Sequence, residues 1–377
     1  MELEDGANLF SNDKFENDSK VHKRYVCAVV GGKSEFIIDD YPKLFGEGSS
    51  DIWVIRETPA GHSATGKEDE SNGLFEHEAP ANGSVFRFLG LNPARPTAKI
   101  PALKDMPPEQ AKAAYEMVVD MHKSVGTHYI PTFEDVQKHV TMHKTESLNL
   151  FFCLNGGPIS LNDEDEIFLE PGDAFIQLGS MHGWAMKQDD TEFGHIGGLL
   201  VDADLSTIEQ LKSLPKSSGK SELNKFKRYV AGTKFSEDKE IGKSVTIIDD
   251  FSPNESELFD ENNKLIGYAG EIWKTFDAKA NLSGTEDAVT GPLDPNPPKN
   301  GITFRMVELL PGCKLPTNAN VVNYYSVIKG AVNATDSKRA VNAKHGEHIV
   351  QLRAEMGLEN VSDEPALMAH FMIDSVG

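Results

Sequence analysis

The sequence predicts an all-β chain in which two barrels arise from one duplicated unit. Short runs of strand-forming residues alternate with turn residues, such as the Gly-Gly-Pro at 156–158 and the Pro-Gly-Asp at 171–173. Strands that are interrupted this often are typical of sandwiches and barrels. Internal similarity divides the strands into two copies, and a helical pattern interrupts the first copy.

The duplication is visible as segments that recur along the chain. Arg-Tyr-Val at 24–26 recurs at 228–230, and Ile-Ile-Asp-Asp at 37–40 recurs at 247–250. Residues 149–156 match residues 323–330, which lie 174 positions later, and the same spacing carries Gln177 onto Gln351. Because this spacing is constant from 149 to 178, the two copies are expected to share strand lengths there.

The first copy is longer than the second. The spacing between matching residues falls from 218, between Phe86 and Phe304, to 174 beyond residue 149. The extra residues therefore lie at about 92–140. We predict a first barrel over 22–203 that contains this insertion, a helical linker over 204–225, and a degenerate second barrel over 226–377.

Both of the segments outside the barrels show helical signals. Residues 107–125 carry apolar side chains at helical spacing, including Ala111, Ala114 and Val118, with Asp105 as the expected N-cap. In the linker, Ser206 and Glu209 fit a capping box. The helical insertion is expected to act as a lid over a barrel mouth, or as an arm that contacts a second subunit in a homodimer.

Charge and composition exclude several classes of partner. The chain has 37 basic and 59 acidic residues, which gives a net charge of −22. Such a chain repels phosphate backbones and anionic membrane surfaces, so we expect neither nucleic acid nor membrane as a partner. Three widely spaced cysteines form no disulfide framework, and the acidic N-terminus has no signal-peptide pattern. A cytoplasmic location is therefore expected.

Two motifs resemble those of the cupin superfamily. Residues 171–184 read Pro-Gly-Asp-Ala-Phe-Ile-Gln-Leu-Gly-Ser-Met-His-Gly-Trp, which is similar to the second cupin motif. Residues 142–149 read Met-His-Lys-Thr-Glu-Ser-Leu-Asn, which is similar to the branch that writes the first motif as His-Arg-Thr-x-Ser-Leu-Asp-Tyr. The resemblance covers about 130 residues strongly and, through the duplication, most of the chain weakly. It implies a bicupin with two double-stranded β-helix, or jelly-roll, barrels.

The resemblance also implies where a metal ion would bind. The usual cupin ligands fall here on His143, Thr145, Asn149 and His182. Two imidazoles are fewer than the three protein ligands of most catalytic sites, and an amide oxygen is a poor ligand for a transition metal. We therefore favour no metal cofactor. The alternative, which stays open, is iron, manganese or zinc bound by His143 and His182.

The second copy lacks this site. With the spacing of 174 residues, His143 becomes Thr317 and His182 becomes Met356. The second barrel is therefore expected to be a structural partner of the first. Arg87 and Arg305 occupy matching strands in the two copies and are expected to form structural ion pairs rather than to clamp a substrate.

The favoured hypothesis is an enzyme that acts on a small organic molecule, such as a hydroxylated aromatic, a polyketide or a keto acid. His143 and His182 would move protons in lyase, isomerase or cyclase chemistry. The residues expected to contact the substrate are Thr145, Asn149, Gln177 and Trp184. Two alternatives remain: a metal-dependent dioxygenase or other oxidoreductase, and a non-catalytic bicupin that binds or stores small molecules.

Overall fold

The computed structural model describes residues 21–46, 48–73, 75–94, 98, 102–210, 221–235, 242–284, 287–289 and 291–376. Strands dominate this part of the chain, so the predicted all-β class is confirmed. Its one long helix, α1 (Pro108–Ser124), lies in the insertion, and short 3-10 turns occur at His62–Thr65, Glu70–Asn72, Leu103–Asp105, Asp135–Gln137 and Leu205–Gln210.

The strands follow the predicted copies. The first copy contains β1 (Arg24–Val30), β2 (Lys33–Asp40), β3 (Leu44–Gly46), β4 (Ser49–Ile55), β5 (Ser84–Leu91), β6 (Ser147–Asn155), β7 (Ile159–Leu161), β8 (Glu166–Phe168), β9 (Ala174–Leu178), β10 (Gly183–Ala185) and β11 (Gly194–Asp204). The second copy contains β12 (Lys227–Lys234), β13 (Lys243–Phe251), β14 (Asn254–Phe259), β15 (Leu265–Lys274), β16 (Ala280–Asn281), β17 (Ile302–Leu309), β18 (Lys314–Leu315), β19 (Val322–Lys329), β20 (Ala331–Thr335), β21 (Ala340–Lys344), β22 (His348–Leu352), β23 (Gly357–Asn360) and β24 (Ala366–Ile373).

Each barrel consists of one large and one small sheet. The first large sheet has the order β13-β12-β9-β6-β11-β5-β4-β3, and its small sheet has the order β10-β7-β8. The second large sheet has the order β2-β1-β22-β19-β24-β17-β15-β14, and its small sheet has the order β18-β23-β20-β21. The large sheets repeat the same order of matching strands, in agreement with the duplication read from the sequence.

The first two strands of each copy join the large sheet of the other copy. Strand β1 pairs in parallel with β22, where Arg24 lies opposite His348, and β12 pairs in parallel with β9, where Arg228 lies opposite Ala174. The repeated Arg-Tyr-Val segments are therefore the strands that the copies exchange. The domain limits at 22–203, 204–225 and 226–377 stay a prediction from the sequence.

The arginine of each exchanged strand is fully buried between two carboxylates. Arg24 forms ion pairs with Asp40 at 2.8 Å and with Asp69 at 2.5 Å. In the second copy, Arg228 pairs in the same way with Asp250 and Asp287. A buried charge is tolerated only when it is paired, so each exchanged strand depends on carboxylates of its own copy.

The large sheets contribute to a shared apolar core. On β6, the side chains of Leu148, Leu150 and Phe152 belong to this core, together with Tyr324 and Phe371 of the second copy. Residues that alternate with them along β6, such as Phe151 and Cys153, belong to a separate cluster inside the first barrel. Because strand residues alternate between faces, one strand lines both the shared core and the barrel that holds the candidate site.

The insertion packs against the first barrel. Helix α1 matches the predicted helix within one residue at each end, and its buried face contains Ala111, Ala114 and Val118. Ala111 and Val118 belong to a cluster with Ile159 of β7 and Ala185 of β10. Asp105 is not the N-cap as expected: it ends the preceding 3-10 turn, and Pro107 takes the N-cap position.

The linker is only partly described. Its first residues form the 3-10 turn Leu205–Gln210, in which the Ser206 hydroxyl donates to Asp204, and residues 211–220 of the predicted helical linker lie outside the described residues. None of the helices in the described ranges is long and apolar enough to cross a membrane.

Candidate functional site

His143 and His182 lie side by side at the edge of the first barrel. Their backbones exchange two hydrogen bonds, from His143 N to His182 O at 2.7 Å and from His182 N to His143 O at 2.8 Å. Their ring centroids are 4.3 Å apart. The two histidines that the motifs single out are thus brought together by an isolated β-bridge.

The backbone also fixes the tautomer of both rings. Nδ1 of His143 lies 2.8 Å from the carbonyl oxygen of Thr141, and Nδ1 of His182 lies 2.9 Å from that of Ser180. Because a carbonyl oxygen only accepts, both Nδ1 atoms must carry the proton. Each neutral ring therefore keeps a lone pair on Nε2, and neither Nε2 has a hydrogen-bond partner among the described residues.

Two further histidines, which the sequence analysis missed, complete a cluster around His143. The ring of His77 lies 5.4 Å from that of His143, and the ring of His122 lies 5.8 Å from both. His77 is carried by the loop before β5, and His122 by the last turn of α1. We call these four residues, His77, His122, His143 and His182, the imidazole cluster.

Glu78 is the carboxylate nearest to this cluster. Its Oε2 accepts a hydrogen bond from the backbone N–H of Glu146 at 2.9 Å, and its Oε1 lies 3.5 Å from Nδ1 of His77. Burial raises the pKa of the Glu78 carboxyl, but His77 and the backbone N–H of Glu146 outweigh burial and leave this pKa below its usual value. Glu78 is therefore ionised at neutral pH.

Arg87 holds the loop that carries His77. Its guanidinium donates to the backbone carbonyls of His77 at 3.0 Å and of Glu76 at 2.7 Å. It also forms a two-point ion pair with Asp51, at 2.6 and 3.0 Å. The structural ion pair expected for Arg87 is thus present, and it positions a histidine as well.

His122, His143 and His182 are neutral at pH 7. Burial is the main reason that the pKa of His182 and of His122 lies at about 4, and the adjacent His77 acts in the same direction. Burial and the adjacent His182 hold the pKa of His143 well below the ordinary value. His77 and His143 retain partial exposure, whereas His122 and His182 are buried, so the cluster is reached from the side of the first two.

The predicted substrate contacts form a second, separate group. Asn149 donates to Thr145 Oγ1 at 3.2 Å and to Gln177 Oε1 at 2.9 Å, and it accepts from Ser147 at 2.7 Å. Within the described residues, no hydrogen bond joins this group to the imidazole cluster. Trp184 is buried beside Phe151 and Phe175, with its ring 6.3 Å from that of His182.

The residues at the usual cupin metal positions do not fit a metal ion. The Asn149 amide donates a hydrogen bond to Thr145 Oγ1. The polar groups of these two residues therefore face each other and do not converge with the two imidazoles on one point. In the part of the chain that the structure describes, no three or more His, Cys, Asp or Glu residues are arranged to hold a metal ion. The imidazole cluster therefore lacks convergent donors in this arrangement.

One of the missed histidines leaves a signal in the sequence. The buried face of α1 runs through Ala111, Ala114 and Val118, and a further step of four residues reaches His122. A histidine on an otherwise apolar stripe therefore marked the contact between the insertion and the barrel. His77 lies in an irregular loop, where no periodicity points to it.

The order of the strands agrees with the double-stranded β-helix barrels that the sequence predicts. No family model matches the sequence, and no curated protein matches it. Similar solved structures include AerE from Microcystis aeruginosa, a cupin 2 conserved barrel domain protein from Leptotrichia buccalis and a putative glyoxylate induced protein from Pseudomonas aeruginosa. Their identities to this chain are 10%, 13% and 8%, and their TM-scores are 0.33, 0.30 and 0.35. Each comparison covers 62% of this chain, and 80%, 76% and 68% of the other chain. Similarity at this level carries no argument about function.

Proposed function

We propose that the first barrel catalyses proton transfer on a small organic molecule, in a lyase, isomerase or cyclase reaction. The observation that carries this proposal is the pair of Nε2 lone pairs on His143 and His182. Their rings are 4.3 Å apart and are held in one tautomer by backbone carbonyls. Hydroxylated aromatics, polyketides and keto acids suit this site, since each carries an acidic O–H or C–H bond.

The neutral state of His143 and His182 suits a general base. An Nε2 lone pair accepts a proton from the substrate, which leaves an enolate or phenolate beside a new imidazolium. That anion raises the pKa of the imidazolium next to it, because an opposite charge favours the charged form. The second imidazole then exchanges a proton with another atom of the substrate. Positioned acid–base groups of this kind contribute roughly 100- to 10,000-fold to a rate.

Two buried N–H groups support a binding role for Gln177 and Trp184. Among the described residues, neither Gln177 Nε2 nor Trp184 Nε1 has a hydrogen-bond acceptor. A buried donor without a partner is unfavourable, so a bound carbonyl or hydroxyl oxygen would satisfy each of them. Thr145 and Asn149 would act indirectly, since they hold the Gln177 amide through its Oε1.

The proposal is tested by proton exchange into candidate carbon acids. We would incubate the full chain in D2O with a keto acid, a β-diketone and a dihydroxybenzene, and follow deuterium incorporation by NMR. The native protein should accelerate exchange of at least one of these compounds. His143→Gln and His182→Gln should each lower the rate by about 100-fold or more. His128→Gln, which changes an exposed histidine, is the matched control.

The same proteins separate the alternatives. Unchanged exchange in both histidine variants would contradict acid–base catalysis by these residues. Stoichiometric iron, manganese or zinc in the purified protein would favour the metal-dependent oxidoreductase. If no compound exchanges, and a ligand binds the native protein and the double variant equally, the first barrel belongs to a binding or storage protein.

A further inference from the structure

The second barrel contains a cavity of about 520 Å³. Thr317, the residue that matches His143, lies on the wall of this cavity. The other walls are mostly apolar and include Leu258, Ile266, Leu293, Val307 and Met372. Its size is within the range of small-molecule sites, which also combine apolar walls with a few polar groups.

Arg305 lines this cavity with donors that the protein does not use. Its Nη2 donates to Glu271 Oε1 at 2.6 Å and to the Asp294 carbonyl oxygen. Its Nε is buried and has no hydrogen-bond partner in the described part of the chain. Its Nη1 has the Met372 sulfur at 3.9 Å, which is a weak acceptor. Since Arg305 is only 9% exposed, water does not readily satisfy these donors.

The charges around Arg305 do not balance. Glu271 is shared between Arg305 and Lys274, each at 2.6 Å, and all three side chains are buried. The carboxylate of Asp294 is exposed and accepts from the backbone of Asn296. Two cations therefore share one buried anion. A buried charge without a full partner is unfavourable, so an anionic ligand would stabilise this group.

A fixed acceptor lies opposite Arg305. His370 pairs with Arg305 across β24 and β17, and its Nε2 lies 3.0 Å from Asn323 Oδ1. The Asn323 amide nitrogen donates to Gln351 Oε1 at 3.0 Å, so Oδ1 faces His370 and must accept from Nε2–H. The unprotonated Nδ1 has no partner among the described residues, and Tyr325 stacks on the ring at 4.3 Å.

From this geometry we infer that the second barrel binds a small organic carboxylate with an apolar body. The carboxylate would accept from Nη1 of Arg305, and the apolar body would occupy the cavity between Leu258, Val307 and Met372. A hydrogen bond between a guanidinium and a carboxylate is charge-assisted, which favours a carboxylate over a neutral amide. The second barrel is then a ligand site, in addition to its structural role, and the inference does not depend on the proposed function of the first barrel.

Binding of phenylacetate to the full chain tests this inference. Isothermal titration should show one site for phenylacetate, and phenylacetamide should bind about tenfold or more weakly, because it carries no charge. Arg305→Met should weaken phenylacetate binding by a similar factor. His143→Gln should leave it unchanged, which separates this site from the first barrel.

A second variant covers the case in which Arg305→Met does not fold. Leu315→Trp adds bulk at the partly exposed wall of the cavity and leaves the buried ion pairs intact. It should abolish phenylacetate binding, because the side chain of tryptophan would fill part of the cavity. Equal binding of the acid and the amide, binding that survives in both variants, or no binding of phenylacetate at millimolar concentration would each overturn the inference.

Discussion

The two barrels place an arginine at the same point of their large sheets but surround it differently. Arg87 lies opposite Gly198 and next to Asp51, whereas Arg305 lies opposite His370 and next to Glu271. Arg87 uses Nε and Nη2 on both oxygens of Asp51, and it also donates to two loop carbonyls. Arg305 reaches its carboxylate through Nη2 alone.

One methylene group separates the two carboxylates and changes what each arginine does. Asp51 is short and faces Arg87 with both oxygens, so the pair is closed. Glu271 is longer, and its oxygens are divided between Arg305, Lys274 and Asn254. The first arginine therefore positions the loop of His77, and the second keeps donors for a ligand. Duplication has let the copies divide these roles without altering the strand order.

Separation of the copies should have the largest effect on this comparison. If the chain is expressed as two fragments cut within residues 211–220, each fragment loses the two strands that complete its large sheet. The shared core around Phe152 and Phe371 would also be exposed. We expect neither fragment to fold alone, while the co-expressed fragments associate. Size-exclusion chromatography and circular dichroism measure this. A folded, monomeric second fragment would show that the barrels are independent.

The matched arginines should differ in their effect on stability. Arg87→Met leaves Asp51 buried without a partner, and loss of one member of a buried ion pair costs about 3–5 kcal/mol of the free energy of unfolding. Arg305→Met should cost clearly less, because Glu271 keeps Lys274 at 2.6 Å and Asn254 at 2.7 Å. Urea unfolding of the two variants, followed by tryptophan fluorescence, gives the comparison.

A lysine substitution at position 87 serves as the control for charge. Arg87→Lys restores one ion pair with Asp51 but not the bonds to both loop carbonyls, so it should recover only part of the stability lost in Arg87→Met. If Arg87→Met and Arg305→Met destabilise the protein equally, the two arginines have the same structural role, and the contrast between the barrels is wrong.

Much of the fold could be predicted from the sequence, but the strand exchange could not. Turn residues and alternation identified strands, and the constant spacing of 174 residues matched them between copies. The Arg-Tyr-Val segments of β1 and β12 would recur in the sequence in either case, whether each strand paired within its own copy or with the other copy. Alternation sets which face of a strand is buried, and it does not choose the neighbouring strand. The pairing of Arg24 with His348 therefore needed coordinates.

The candidate site was predictable where a motif or a repeat marked it. His143 and His182 stand in the two motifs, and their replacement by Thr317 and Met356 showed that the copies differ. His77 and His122 come from a loop and from an insertion without a counterpart in the second copy, so no repeat could mark them. The free N–H donors of Arg305 could not be predicted either. A sequence shows that the two arginines match, but it does not show how many hydrogen bonds each of them forms.

A further expected difference between the copies concerns acid. His348 occupies the position that Ala174 has in the first copy, beside the exchanged strand. Burial is the main reason that the pKa of His348 lies at about 3, and His195 and His345 act in the same direction. The unfolded chain takes up a proton near pH 6.5, whereas the folded chain does not. This contribution to stability is therefore present above about pH 6.5 and is lost as the pH falls toward 3, by up to about 1.4 kcal/mol per pH unit.

His348→Gln should make this acid dependence shallower by close to one proton, because glutamine can bond to Ser326 and His22 but does not titrate. Denaturant unfolding measured at several pH values from about 4 to 7 gives the slope. His128→Gln is the control: His128 is exposed, and its hydrogen bond to Glu146 raises its pKa, so its loss should not make the slope shallower. An unchanged slope in His348→Gln would show that His348 does not account for the proton uptake, and this histidine would then not distinguish the acid sensitivity of the two copies.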